Sequence, residues 1–284
     1  MADLFTSADS QSALSSTEVV AALRAAGCVF AEDEADLLLA AAASPTELAT
    51  LTERRCAGLP LEQVLGWAEF CGTRVVVEPG VFVPRRRTEF LVQQAAALLP
   101  RTGGVVLDLC CGSGAVGAAL TRAARGVELH AADVDPAAVA CARRNLAPLS
   151  GHVHHGDLYR PLPPTLRGRV HVLVANAPYV PTDALGLLPP EARDHEPRVA
   201  LDGGTDGLAV QRRVVAQAAR WLAPTGHLLI ETSVAQAPDT ARTYRRHGLT
   251  PRLVTSDDLH VTVVIGTPPG SDGPGAKGGV TPGG

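Results

Sequence analysis

An open, mostly parallel α/β sheet covered by helices on both faces is predicted for the larger part of this 284-residue chain. Three observations predict it. Short strand-like runs stand at 105–109, 128–133, 152–157 and 170–176, helix-like stretches at about 115–125 and 136–146 separate the first three, and this alternation argues for a parallel sheet covered on both faces. A glycine-rich turn stands between the first run and the first helix. Hydrophobic residues make up 46% against 19% charged, enough to fill a core and to exclude wholesale disorder.

Taken in order, residues 1–14 read as a frayed start. Ser15 and Glu18 have capping-box spacing ahead of VVAALRAA, which Gly27 closes. A second helix is expected over 32–43. A third opens at Ser44-Pro45-Thr46-Glu47, with a cap, a proline at the first helical position and a glutamate three residues after the cap, and stops at Gly58. The aromatic and β-branched stretch 67–77, broken by Cys71-Gly72, predicts a hairpin. A helix then runs from beyond Pro84 to about Leu99. After the fourth sheet strand a helix at about 207–223 leads into HLLIETS (227–233). A further helix precedes two last runs, LTPRLVTS and LHVTVVIG, whose short connection makes them antiparallel. Residues 266–284 hold eight Gly and four Pro and read as a disordered tail. The expected organisation is a helical domain over 1–62, a hairpin linker over 63–85, the sheet domain over 86–266 and the tail over 267–284.

Net charge is −4, so the basic excess of a protein that lives on nucleic-acid backbones is missing; Arg85-Arg86-Arg87 is read as a solvated run near a helix cap. The longest aliphatic run, 37–43, is far shorter than the roughly 20 residues a membrane helix needs. The N-terminus lacks the basic region of a secretory signal, and a cytoplasmic location is expected. Six cysteines without a Cys-x-x-Cys pair are expected to be free thiols used as small apolar residues. Strand alternation puts His152 and His154 on one face and His155 on the other, and no metal is expected.

Gly112-Ser113-Gly114-Ala115-Val116-Gly117 follows a strand, opens a helix, and has Asp133 about 20 residues on, at the end of the next strand. Such a turn lets backbone approach a ligand, while the acidic residue accepts from two ribose hydroxyls. The two parts together point to an adenosine compound, either a nicotinamide dinucleotide or S-adenosylmethionine (SAM), over the plainer reading of a tight turn with a capping aspartate. Asp108, just before the turn, repels a pyrophosphate and favours a sulfonium or ammonium, which favours SAM. Asn176-Ala177-Pro178-Tyr179 ends the fourth strand, at the carboxyl edge where open α/β sheets bind ligands.

Asp108-Leu-Cys-Cys-Gly-Ser-Gly, Asp133 and Asn176-Ala-Pro-Tyr resemble the motifs of class I SAM-dependent methyltransferases that act on planar nitrogens. Four further segments narrow the resemblance: Pro60-Leu61-Glu62-Gln63-Val64-Leu65-Gly66, Glu69-Phe70-Cys71-Gly72, Pro79-Gly80-Val81-Phe82-Val83-Pro84-Arg85, and His195-Glu196-Pro197-Arg198-Val199-Ala200-Leu201 with Gly203-Gly204-Thr205-Asp206-Gly207-Leu208. They are similar to the HemK/PrmC family of protein-(glutamine-N5) methyltransferases over about residues 15–266. The resemblance implies a Rossmann-like, seven-stranded, mostly parallel sheet with its last strand antiparallel, behind a helical substrate-recognition domain and a hairpin. It implies SAM as cofactor and, as methyl acceptor, a protein glutamine such as that in the Gly-Gly-Gln loop of translation release factors, or one in a ribosomal protein. It implies cofactor contacts at Thr88, Asp108, Cys110, Cys111, Gly112, Ser113, Gly114, Asp133, Val134, Asp157, Leu158 and Asn176. Asn176, Ala177, Pro178 and Tyr179 are implied to hold the acceptor.

An amide nitrogen is a poor nucleophile because its lone pair is delocalised. The Asn176 side-chain oxygen and a neighbouring main-chain carbonyl, both accepting from the acceptor NH2, would orient it and compensate the charge it develops. Tyr179 would wall the planar group. Two departures mark a divergent branch: Ala177 stands where the family has proline, and Arg86-Arg87 where it has Pro-Glu. Two rival readings remain, an adenine-amino methyltransferase of nucleic acid and a non-catalytic SAM- or nucleotide-binding protein. A nicotinamide oxidoreductase is disfavoured because no hydride-transfer residues follow the glycine turn.

Overall fold

The computed structural model describes residues 14–269, so most of the expected frayed start (1–13) and the tail beyond 269 lie outside the described residues. The described residues open on four helices: α1 (Ser16–Ala25), α2 (Ala31–Ala41), α3 (Pro45–Cys56) and α4 (Leu61–Leu65). The capping box forms as predicted, with the Ser15 hydroxyl accepting from Glu18 N at 3.3 Å and the Glu18 carboxylate accepting from Ser15 N at 2.7 Å. Ser44 caps α3 in the same way, accepting from Glu47 N. The single turn α4 was not expected from the sequence; Pro60 starts it and Gly66, at φ 80°, ends it. Leu23, Leu38, Leu48 and Val64 pack together among these helices. Each such leucine withdrawn from water stabilises by about 2 kcal/mol.

The hairpin β1 (Trp67–Phe70) and β2 (Thr73–Val76) turns at Cys71 and Gly72, both at positive φ, as a two-residue hairpin loop matched to strand twist requires. A 3-10 turn at Arg86–Thr88 leads into α5 (Glu89–Ala96), which ends short of Leu99. There follow β3 (Gly104–Leu109), α6 (Ala115–Ala123), β4 (Val127–Asp133), α7 (Pro136–Leu146), β5 (His152–His155) and β6 (Val170–Ala175). Between β6 and the next strand the chain makes a helical excursion, absent from the sequence reading, that contains α8 (Pro190–His195) and α9 (Arg198–Leu201). It then continues through α10 (Ala209–Ala218), β7 (Leu222–Thr232), α11 (Ala237–Arg246), β8 (Thr250–Ser256) and β9 (Val261–Thr267).

The seven strands are ordered β5-β4-β3-β6-β7-β9-β8. Only the last strand, β9, runs antiparallel to its neighbours, pairing with both β7 and β8. This is the predicted sheet, with the last strand inserted between its two predecessors. Alternate residues feed opposite cores: Leu107, Leu109, Leu173 and Ile230 on one face, and Val106, Ala131, Val172 and Leu229 on the other. The parallel register Ala175↔Ile230 brings Asn176 and Glu231 to the same carboxyl edge.

His152 and His154 both stack on His130, at ring-centroid distances of 4.8 and 5.3 Å, while His155 reaches the Val134 carbonyl instead. Among the described residues no helix is long and apolar enough to cross a membrane. All six cysteines are free.

Candidate active site

Two cavities open along the carboxyl edge of the sheet, and they share Phe82, Asn176, Pro178 and Ala200. The first, of about 400 Å³, lies over the glycine turn. Gly112 and Gly114 adopt φ of 54° and 78°, the left-handed region that suits glycine. They do different things. A Cβ on Gly112 would meet no atom within 4 Å, whereas one on Gly114 would press on Leu146 at 3.1 Å. Gly112 therefore keeps the cavity floor open, and Gly114 lets α6 approach α7. Gly117 donates its N–H to Asp108 at 2.9 Å, anchoring the first turn of α6 to the end of β3.

Asp133 sits on the wall of this cavity and accepts from Gly112 N at 2.9 Å and from Asp135 N at 3.0 Å. One main-chain N–H on each oxygen holds the carboxylate still and leaves lone pairs for two vicinal hydroxyls. Burial pushes its pKa up, and these two N–H donors pull the other way. Asp157 also lines the cavity and is tied to Arg213. With Asp135, the lining carries three carboxylates against this one engaged arginine. A pyrophosphate has no free cation to meet here, and a cationic adenosine ligand fits the sign of the field. Val134, Leu158, Val199 and Val210 supply apolar walls.

The expected cofactor residues divide. Cys110, Gly112, Asp133, Val134, Asp157, Leu158 and Asn176 line the cavity. Asp108, Cys111, Ser113 and Gly114 do not line it and lie beneath or beside the turn. Asp108 is 2% exposed and its pKa is raised to about 7, by burial first and by Asp133 as well, against the pull of the Gly117 N–H. Cys110 takes an uncommon left-handed conformation at φ 56°, and burial pushes its thiol up, as it does that of Cys111. Both are neutral thiols fitted to a crowded turn. Thr88, also expected at the cofactor, is buried against the Asn176 amide, whose Nδ2 donates to its hydroxyl at 3.3 Å.

The second cavity, of about 430 Å³, is walled by Asn176, Ala177, Pro178, Tyr179 and Val180 on one side and by Leu188, Pro189 and Ala192 of the excursion on the other. The loop is held in shape from several directions. Val180 bonds main chain to main chain with Leu201 and Gly203, and Gln236 Nε2 donates to the Tyr179 carbonyl at 2.9 Å. Gly207 fits beneath because a Cβ there would lie 2.3 Å from that same carbonyl. Glu196, its side chain fully buried, accepts from Val83 N and pairs with Arg85, clasping the excursion to the linker. Arg87 is not a free surface charge: it donates to the Tyr179 hydroxyl at 2.8 Å and pairs with buried Glu231 at 3.4 Å. Sequence reasoning did not single out Phe82, Arg213, Glu196 or Glu231. Phe82 and Glu196 lay inside motifs already recognised, whereas nothing local marks Glu231 or Arg213.

Residues 72–185 match the family model "Methyltransferase small domain". The chain is 36% identical to the release factor glutamine methyltransferase of Geobacter sulfurreducens, over 78% of this chain and 79% of that one. It is 34% identical to the 4-amino-L-phenylalanine/4-methylamino-L-phenylalanine methyltransferase of Streptomyces pristinaespiralis, over 80% and 78% of the two chains. A methyltransferase from Pyrococcus furiosus shares the fold, with a TM-score of 0.52, 16% identity, and coverage of 69% of this chain and 88% of that one.

Proposed function

The chain belongs to the family of release factor glutamine methyltransferases, and from that premise we propose that it methylates the side-chain amide nitrogen of a glutamine in a release factor. It is a SAM-dependent enzyme. The observation that carries the reading is that the anionic cavity over the glycine turn and the cavity behind the Asn-Ala-Pro-Tyr loop meet at Asn176.

The bound cofactor supplies a sulfonium-activated methyl group. The chain's own residues do the rest. Asp133 takes the ribose hydroxyls, the Gly112 turn lets the main chain approach, and the carboxylates of the wall offset the cationic end. Across the shared wall, the Asn176 side-chain oxygen and the Ala177 carbonyl accept the two hydrogens of the acceptor NH2. Those two acceptors aim the nitrogen and stabilise the positive charge it gains as the N–C bond forms and the methyl's C–S bond breaks with its electrons staying on sulfur; the methylated amide then releases one N–H proton to solvent, so no strong base is needed at the reacting atom. Tyr179 and Pro178 flank the planar group. The helices α1–α4, beside the second cavity through the Arg55–Glu191 pair, serve as the docking surface for the protein substrate.

A second acceptor class, the planar amino group of a free amino acid, is favoured by the relative that acts on 4-amino-L-phenylalanine. The test of both is to incubate the purified protein with methyl-labelled SAM and, separately, release factors, ribosomal proteins, DNA and 4-amino-L-phenylalanine. Label on a glutamine side chain is the expected result. Label confined to the free amino acid selects the second reading, and label on DNA selects an adenine acceptor. SAM binding without any transfer would leave a non-catalytic binding protein.

A further inference from the structure

The main chain of the acceptor loop is tied down around Tyr179. Val180 N donates to the Leu201 carbonyl at 3.0 Å, Gly203 N donates to the Val180 carbonyl at 2.8 Å, and Gln236 Nε2 donates to the Tyr179 carbonyl at 2.9 Å. Gln236 is itself set by Ser233, whose hydroxyl donates to Gln236 Oε1 at 2.8 Å. These bonds fix the backbone of the loop but leave the side-chain torsions of Tyr179 unfixed. A ring that turns about its Cα–Cβ bond swings its hydroxyl end the farthest, and a swinging ring makes a poor wall for a planar acceptor group.

The hydroxyl end is held from outside the loop. Arg87 Nη2 donates to Tyr179 Oη at 2.8 Å, the one hydrogen bond on that oxygen among the described residues. The Arg87 side chain is 43% exposed, so it needs an anchor of its own. Glu231 provides it: its side chain is 1% exposed, and its Oε1 pairs with Arg87 Nε at 3.4 Å. Nε and Nη2 lie on one edge of a rigid planar guanidinium, so setting the first on Glu231 restricts where the second points. The neighbouring arginines are placed differently. Arg85 pairs with Glu196 and lies over the Phe82 ring, 4.8 Å from its centroid, and Arg86 is exposed.

We infer that Arg87 is a positioning residue: anchored on Glu231, its guanidinium holds the Tyr179 ring in place as the wall of the acceptor cavity. Arg87 lines that cavity but acts on the acceptor through Tyr179. The end of β7 thereby holds one tyrosine twice, at its carbonyl through Gln236 and at its hydroxyl through Arg87. One of the two departures from the family pattern, the arginine at position 87, thus acquires a task. The inference rests on the methyl-transfer reading above and concerns only how its acceptor cavity is held in shape.

The experiment compares Tyr179→Phe, Arg87→Met, Arg87→Lys and the double variant Tyr179→Phe/Arg87→Met with the unmutated protein. It measures kcat and KM with the acceptor that takes label, SAM affinity by calorimetry, and the ring signals of 13C-labelled tyrosine by NMR. The chain has three tyrosines, and Tyr159 and Tyr244 are buried, so the signal missing from Tyr179→Phe assigns the third. Tyr179→Phe keeps the ring and removes its hydroxyl. Acceptor KM should rise by about 3- to 10-fold, the scale of ordering one side chain on binding, with kcat kept within about threefold. SAM affinity should stay within about twofold, since neither residue lines the cofactor cavity. Arg87→Met should raise KM by the same factor and shift the Tyr179 signal. The double variant should be no worse than either single one, because all three lose the same bond. Arg87→Lys keeps a charge opposite Glu231 but not the fork, and should also raise KM and shift the signal.

The inference is overturned if Tyr179→Phe leaves KM unchanged, or if Arg87→Lys restores both KM and the Tyr179 signal. It is overturned too if the two single effects multiply in the double variant, which would put Arg87 on the acceptor itself, or if SAM affinity falls in step with turnover. Should Arg87→Met fail to fold by circular dichroism, Arg87→Lys takes its place in the cycle under the same criteria. If the unmutated protein labels no acceptor, the functional reading falls and this one with it; a labelling protein indifferent to these variants overturns this one alone.

Discussion

At the glycine-turn edge of the sheet, the main-chain bonds that shape the turn span short stretches of sequence: Gly117 bonds Asp108 nine residues back, and Gly112 bonds Asp133 21 residues on. At the acceptor edge the ties run much farther, 88 residues from Asn176 to Thr88, 113 from Val83 to Glu196, and 144 from Arg87 to Glu231. The first edge uses main-chain N–H groups presented by a turn and a helix start, which two successive βα units form almost by themselves. The second edge uses side chains delivered by the linker, the excursion after β6 and the end of β7. A site assembled from local backbone tolerates change elsewhere in the chain. One assembled from distant buried charges depends on all of them at once.

The sharpest way to separate the two edges is Asn176→Ala. Turnover should drop by about 10²- to 10³-fold, as when a charge-stabilising group is removed from a transition state, while SAM affinity measured by calorimetry stays within about twofold. A fall in SAM affinity in step with the fall in turnover would merge the two edges into one. Glu196→Ala comes next. It strips a buried carboxylate from Arg85 and from Val83 N, and should cost about 3 kcal/mol in urea unfolding. Its effect should appear in acceptor KM and stability while the SAM dissociation constant is unmoved.

Asp133→Ala strikes the other edge. It removes the carboxylate proposed to take the ribose hydroxyls, and SAM should bind about 10- to 100-fold more weakly while kcat at saturating SAM is kept. A fall in kcat with unchanged affinity would contradict the division. The smallest effect concerns pH. Asp108, raised to about 7 by burial, is partly protonated near neutrality. A cationic ligand above the turn favours its ionised form, so affinity should be present above that pKa and weaken as pH falls through it. Titrations between about pH 8 and 6 should show this loss for the unmutated protein and a flatter profile for Asp108→Asn. An identical slope in both would remove Asp108 from the field felt by the ligand.

The cofactor edge was legible in the sequence because its determinants are local: the spacing of Gly112, Gly114 and Gly117 after a strand, and an aspartate at the end of the next one. What the sequence does not show is burial: Asp108 is engaged with the Gly117 N–H under the turn, and Thr88 accepts from the Asn176 amide. The excursion over α8 and α9 escaped prediction because it is composed of very short helical turns, held by Glu196 and by main-chain bonds to Val180 instead of by any helical periodicity of its own. Arg87 read as one of three solvated charges because nothing nearby in sequence announces its partner.

From the sequence alone came the alternation of strands and helices, the antiparallel closing pair, the glycine turn with its acidic partner, and the placement of Asn176 at a strand end. These follow from periodicity and turn chemistry, which act over a few residues. Tertiary structure alone decided that the Asn-Ala-Pro-Tyr loop and the glycine turn open into adjoining cavities, that Glu231 is buried with no partner for one oxygen among the described residues, and that Arg87 faces it. Burial and charge pairing depend on which residues meet across the fold. A carboxylate at position 231 looks the same in the sequence whether water or the Arg87 guanidinium stands beside it.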